Sequence, residues 1–146
     1  MKKLIPHILL ALFIFGCENS TGTDEDMYSV SDLEGTWMGD ITIIGAPNSG
    51  TYQGDFSYDD QGNCIEFMGT NDVGGNLDVS KNGEITGIIT SIYDTDYGEE
   101  TNYIDVEESM FISKIHISLD ATNCNWSNLN GNSGSYSVTG TMNKSN

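Results

Sequence analysis

The chain has 146 residues, with 22 aspartates and glutamates against 5 lysines, no arginine, and a formal net charge of −17. That length suits a single domain, and so acidic a chain lacks the basic patch with which nucleic-acid binders hold phosphate. It is equally unsuited to resting on anionic lipid head groups. The charge speaks to solubility, or to collecting cations or a basic partner, and not to fold.

The first element in chain order is an export signal. Lys2 and Lys3 make a basic start, an apolar run extends from Ile8 to Phe15, and Gly16 precedes Cys17, which is the pattern of a secretory signal. The run falls well short of the roughly 20 apolar residues that cross a bilayer. Ile14-Phe15-Gly16-Cys17 resembles the lipobox of bacterial lipoproteins. The resemblance implies a signal peptide over residues 1–16, cleavage before Cys17, and acylation of its thiol and new amino group. It also implies a lipid-anchored place in the bacterial cell envelope. The outer membrane is favoured, because Glu18 is not the aspartate that commonly marks inner-membrane retention; which face is open. More than one acyl chain makes such attachment stable. The alternative is an ordinary signal peptide with a coincidental cysteine.

Residues 17–31 then read as a lipidated acidic tether. Glu18 to Ser31 is polar and includes Asp24-Glu25-Asp26, a composition unable to bury enough apolar surface to fold. The folded domain is expected over residues 32–144. With Cys17 acylated, Cys64 and Cys124 remain, and an even pair in an oxidising compartment predicts a disulfide. Closing a loop of about 60 residues, it would contribute about 3–4 kcal/mol. A metal site lacks partners: His116 is the single histidine beyond the signal, and no Cys-x-x-Cys occurs.

From Asp32 onward the hydrophobic pattern has period two, the mark of strands. Trp37, Gly39, Ile41 and Ile43 share one face of the first strand, with Asp40 and Thr42 opposite. In the second, Tyr52, Gly54, Phe56 and Tyr58 alternate with Gln53, Asp55 and Ser57; the third groups Ile65, Phe67 and Gly69. Leu77 and Val79 mark the fourth, and Asn82-Gly83 is a strong hairpin signal leading to Ile85, Gly87 and Ile89 of the fifth. An acidic loop is expected from Asp94 to Asn102, and Glu99 to Met110 is the one stretch where a helix could form. The sixth strand is expected to run through Phe111, Ile115, Ile117 and Leu119. The seventh lies around Trp126 to Leu129, and the eighth carries Tyr136, Val138, Gly140 and Met142. These elements predict an all-β, antiparallel up-and-down meander that removes its edges by closing into a small barrel. Glycines at 39, 54, 69, 87 and 140 would allow the bending. An open β-sandwich is the alternative.

Gly35-Thr36-Trp37, opening the first strand, resembles the Gly-x-Trp signature of lipocalins and related calycin barrels. The resemblance implies a tryptophan that plugs the closed end of the barrel and packs under a basic side chain from a late strand. Lacking arginine, this chain could supply only Lys144 or Lys114. The span from Asp32 to Lys144 is nearer in length to avidin-like barrels than to a full lipocalin.

Small eight-stranded barrels are either filled by side chains or hold one ligand. Trp37 reads first as a plug; with Tyr52, Phe56 and Tyr136 it makes up the candidate ligand-facing set. The expected function is non-enzymatic binding of a small apolar or amphipathic molecule, with no cofactor. The alternative is a structural or interaction protein of the envelope, with a filled barrel and an outer cluster of Met38, Ile44 and Met68. A catalytic nucleophile needs an activating base, yet His116 has only Lys114 and Ser118 beside it and no Gly-x-Ser-x-Gly occurs. Carboxylate pairs of the kind that cleave glycosides are too numerous to single one out. Asp94, Asp96 and Glu99 are candidate calcium ligands by their oxygen chemistry, although a solvated acidic loop is the plainer reading.

Overall fold

The structure, a computed structural model, describes residues 27–96 and 98–145. The expected signal, Cys17 and most of the expected tether lie outside the described residues. Among the described residues eight strands succeed one another: β1 (Gly35–Ile44), β2 (Gly50–Tyr58), β3 (Cys64–Phe67), β4 (Val73–Val79), β5 (Glu84–Thr95), β6 (Gly98–Ser113), β7 (His116–Asn128) and β8 (Ser133–Lys144). They form one antiparallel sheet in the order β3-β2-β1-β8-β7-β6-β5-β4. Every neighbouring pair is consecutive in the chain except β1 and β8, which pair from Trp37↔Lys144 to Ile44↔Ser137. The meander therefore closes through its first and last strands, and the seam lies between β3 and β4. An Asn63↔Asn76 bridge narrows that seam. So do hydrogen bonds from Leu77 N to Gly62 O (2.9 Å) and from Asn76 Nδ2 to Gln61 O (2.7 Å). The result is a nearly closed barrel.

Alternation along the strands gives the barrel an inner and an outer face. Trp37, Ile41, Phe56, Tyr58, Ile89 and Val138 belong to one buried core, while Asp40, Thr42 and Gln53 face out, the Gln53 amide donating to the Asp40 carboxylate across β1 and β2. Apolar side chains inside and polar ones outside is the reverse of a barrel that faces lipid. Among the described residues no helix is long and apolar enough to cross a membrane. β1 and β8 run so close that a Cβ on Gly39 would overlap the Thr141 carbonyl oxygen; only glycine permits that approach.

Several expectations are corrected. Glu99 to Met110 is strand throughout, laddered to β5, because its residues of one parity (Ile104, Val106) are buried inward. The acidic loop contracts to a hairpin tip, with Asp94 paired to Glu99. The expected sixth strand is two strands: the chain turns at Lys114 and Ile115, so Phe111 belongs to β6, Ile117 and Leu119 belong to β7, and Ile115 is exposed. Ile65 also points outward while Cys64 and Phe67 are buried, since the register shifts between Ser57 and Tyr58. Gly69 sits exposed in a turn and not on the apolar face.

Residues before Asp32 also pack on the barrel. Tyr28 stacks on Phe111 with ring centroids 4.8 Å apart, and a single 3-10 turn, Val30–Leu33, buries Leu33 completely.

The expected Cys64–Cys124 disulfide is absent: both cysteines are free, buried thiols. β2, β1 and β8 stand between the strands that carry them, placing them half-way round an eight-stranded barrel. Strands are spaced by about 4.8 Å, and a disulfide needs its Cα atoms within about 7 Å. Burial pushes each thiol up to about 11, which leaves them unreactive at neutral pH.

Candidate functional site

The two ends of the barrel are built differently. At the end where β1 begins, Trp37 is wholly buried and its Nε1 donates to the Leu33 carbonyl at 2.8 Å. Lys144 Nζ stands 5.4 Å from the centre of the Trp37 ring and donates to the Asp32 carbonyl at 2.9 Å. Phe111 meets Trp37 edge-on at 5.8 Å. Lys144 is therefore the cation over the tryptophan, and Lys114 instead pairs with the Asp32 carboxylate at 3.0 Å. Burial by itself would raise the Asp32 pKa. Lys114 and the Ser29 donors outweigh it and hold the carboxyl below its ordinary value.

At the opposite end the barrel is open. A cavity of about 520 Å³ lies there, within the range of about 300–1,000 Å³ typical of small-molecule sites. Ile43, Phe67, Met68, Ile104 and Val138 supply its apolar wall, Tyr52, Tyr93 and Tyr136 its aromatic one, and Asp94, Glu100 and Asn102 a polar edge. Tyr93 Oη donates to the Phe67 carbonyl at 3.0 Å and Thr70 Oγ1 to the Ile92 carbonyl at 3.1 Å, which ties β5 to the turn after β3 where the ladder lapses. In that turn Phe67 and Thr70 exchange backbone hydrogen bonds, and Met68 and Gly69 take φ +47° and +80°. Positive φ at both central residues belongs to the tight hairpin turns, and it is costly for methionine. The strain sits on a residue that lines the cavity, where such strain tends to accompany function. Tyr52 Oη donates to the Asn48 carbonyl at 2.6 Å and so orders the β1–β2 loop that forms the near rim.

Burial raises Tyr93 to about 12, with the charges of Asp55, Cys64 and Glu100 adding to it. Tyr136 is raised well above its ordinary value, again by burial first and then by Cys124, Tyr93 and Glu100. Both phenols remain neutral hydrogen-bonding groups, and Glu100 is near enough to act on both.

Of the candidate ligand-facing residues, Tyr52 and Tyr136 line the cavity. Trp37 does not: it lies six positions from Ile43 along β1, about 20 Å at 3.3 Å per residue. Phe56 is not in the wall; it pairs with Phe67 across β2 and β3, and its ring meets that of Phe67 edge-on at 4.6 Å. Tyr93, Met68 and Glu100 also line the cavity, outside the set expected from the sequence. Tyr93 continues the inward parity of Ile85 and Ile89, a signal within reach of the pattern. Met68 and Glu100 depend on the turn and on closure. Met38 and Ile44 are exposed, but Met68 belongs to the cavity, so the expected outer cluster of all three is not assembled.

His116 opens β7 with Nε2 buried and without a hydrogen-bond partner. Among the described residues no three His, Cys, Asp or Glu side chains gather as metal ligands, so Asp94, Asp96 and Glu99 do not form a calcium cage. The Asp59 carboxylate is occupied by its own turn, accepting from Gln61 N, Asn63 N and Asn63 Nδ2 at 2.9, 2.8 and 2.8 Å.

Comparison with protein-family models, with curated proteins and with solved structures finds no match for this chain.

Proposed function

We propose that this chain is a lipid-anchored protein of the bacterial envelope whose barrel holds a small apolar or amphipathic molecule without transforming it. The observation that carries the binding reading is the open-ended cavity of about 520 Å³ with an aromatic and aliphatic wall. Apolar walls with a few placed polar groups are how small-molecule sites gain affinity and orientation together. The anchor rests on the lipobox-like segment ending at Cys17, and the outward polar faces of the strands suit a domain held in water above the membrane. An amphipathic cargo fits a protein stationed at that boundary.

The test uses the full chain carrying Cys17→Ala, which removes the acylation site, titrated with the neutral dye N-phenyl-1-naphthylamine. Dye fluorescence should rise and saturate at one equivalent. Ala46, on the cavity rim, offers the control: Ala46→Trp should fill the mouth and weaken the dye at least about tenfold. Equal binding to both proteins would put the dye elsewhere and end the binding reading. The anchor is tested separately by fractionation in cells, where Cys17→Ala should leave the membranes; persistence there would remove the lipobox reading.

A further inference from the structure

Charge is distributed unevenly along the barrel axis. The lysines among the described residues are Lys81, Lys114 and Lys144, and all stand at the plugged end. Lys144 and Lys114 are bound to Asp32, and Lys81 lies in the β4–β5 turn, its carbonyl accepting from Tyr28 N at 3.3 Å. Among the described residues no cation lies in the cavity wall. Its ionisable groups are the carboxylates of Asp94 and Glu100 and the neutral phenols of Tyr93 and Tyr136, with the Tyr52 ring on the opposite rim. Asn102 Nδ2 donates to Glu100 Oε1 at 3.2 Å, which fixes one oxygen of that carboxylate and leaves the other for a ligand.

An anionic head group placed here would meet two like charges and no counter-ion, a repulsive arrangement of the kind that excludes wrong ligands. A cationic head would meet opposite charge at the edge and tyrosine rings beside it, aromatic groups of the kind that hold ammonium ions. We infer that the cavity selects amphiphiles with a cationic, ammonium-type head, the apolar tail lying between Ile43, Ile104 and Val138 and the head between Asp94, Glu100 and the tyrosines. This rests on the binding function proposed above and narrows it to one head-group class.

Decylamine, decanol and decanoate share a tail and differ in charge, so their competition against N-phenyl-1-naphthylamine isolates the head. On the Cys17→Ala chain, each below its micelle concentration, decylamine should displace the dye about tenfold more tightly than decanol, and decanoate more weakly than either. In the further variant Asp94→Asn with Glu100→Gln, decylamine should fall to the level of decanol, and an unchanged β-sheet circular dichroism spectrum and urea midpoint show that the variant is folded. Decanoate binding as well as decylamine would overturn the head-group inference and leave the cavity reading standing. An amine preference that survives the double substitution would overturn it too, by assigning the effect to overall charge. Failure of the dye and all three competitors to bind would instead remove the binding function itself.

Discussion

The two ends of this barrel spend the same kinds of side chain on opposite purposes. At the plugged end, aromatic rings and cations satisfy one another: Trp37 lies beneath Lys144, Tyr28 stacks on Phe111, and Lys114 meets Asp32. At the open end, Tyr52, Tyr93 and Tyr136 line a void, and the carboxylates of Asp94 and Glu100 have no lysine beside them. An aromatic ring buried with its partners contributes to stability, whereas one left facing a cavity holds surface in reserve for a ligand. The plugged end should therefore respond to mutation in stability and the open end in binding.

That contrast should be sharpest at Trp37. Trp37→Ala removes a fully buried ring and should destabilise the fold by about 3–5 kcal/mol, read as a lower urea midpoint; a loss under about 1 kcal/mol would mean the plug contributes little. Lys144→Met keeps the aliphatic stem but loses the cation over the ring and the hydrogen bond to Asp32, for an expected cost of about 1–2 kcal/mol. A neutral result would leave Trp37 held by packing alone. Asp32→Asn should cost up to about 1 kcal/mol at neutral pH, part of it erased by salt, because Lys114 is more than half exposed. Its pH dependence has a definite sign. The Asp32 pKa is lowered in the fold, so its contribution is present above about pH 4 and is lost as pH falls through the lower folded value. Acid titration of the wild type against Asp32→Asn should show the two stabilities converging below pH 4; parallel curves would remove the assigned role of that carboxylate. The smallest stability change is expected at the open end. Tyr52→Ala should shift unfolding by only about 0.5 kcal/mol while weakening dye binding several-fold. A large stability loss with intact binding would erase the distinction between the ends.

Much of this organisation is legible in the chain, and where legibility stops has a physical cause. Inward residues of β1, β2, β5 and β8 follow from alternation, and Asn82-Gly83 does mark the β4–β5 turn, with Gly83 at φ +87°. Alternation fails where two strands meet without a breaker. Ser113-Lys114-Ile115-His116 contains no glycine, proline or asparagine, so the period runs through the turn and merges the end of β6 with the start of β7. It fails again at β3, where a register shift beside Ser57 turns Ile65 outward. The cavity is legible only in part, since Tyr52 and Tyr136 share an inward parity with Trp37 and Phe56, and parity carries no information on height along the axis.

By itself, then, the sequence determined the fold class and the inward face of most strands, because these depend on local periodicity; the resemblance to calycin barrels supplied the expectation of a Trp37 plug, and the residue types present left Lys144 or Lys114 to cover it. Tertiary structure alone decided that Lys144 and not Lys114 takes that place, that Cys64 and Cys124 stand unbonded on strands half-way round the barrel from each other, and that Tyr93, Met68 and Glu100 join Tyr52 and Tyr136 round one cavity. Those outcomes depend on how far round the barrel each strand lies and how high each residue sits along it. Both are set by closure between β1 and β8 and by the bulges that shift the register, and neither is written in the spacing of any single segment.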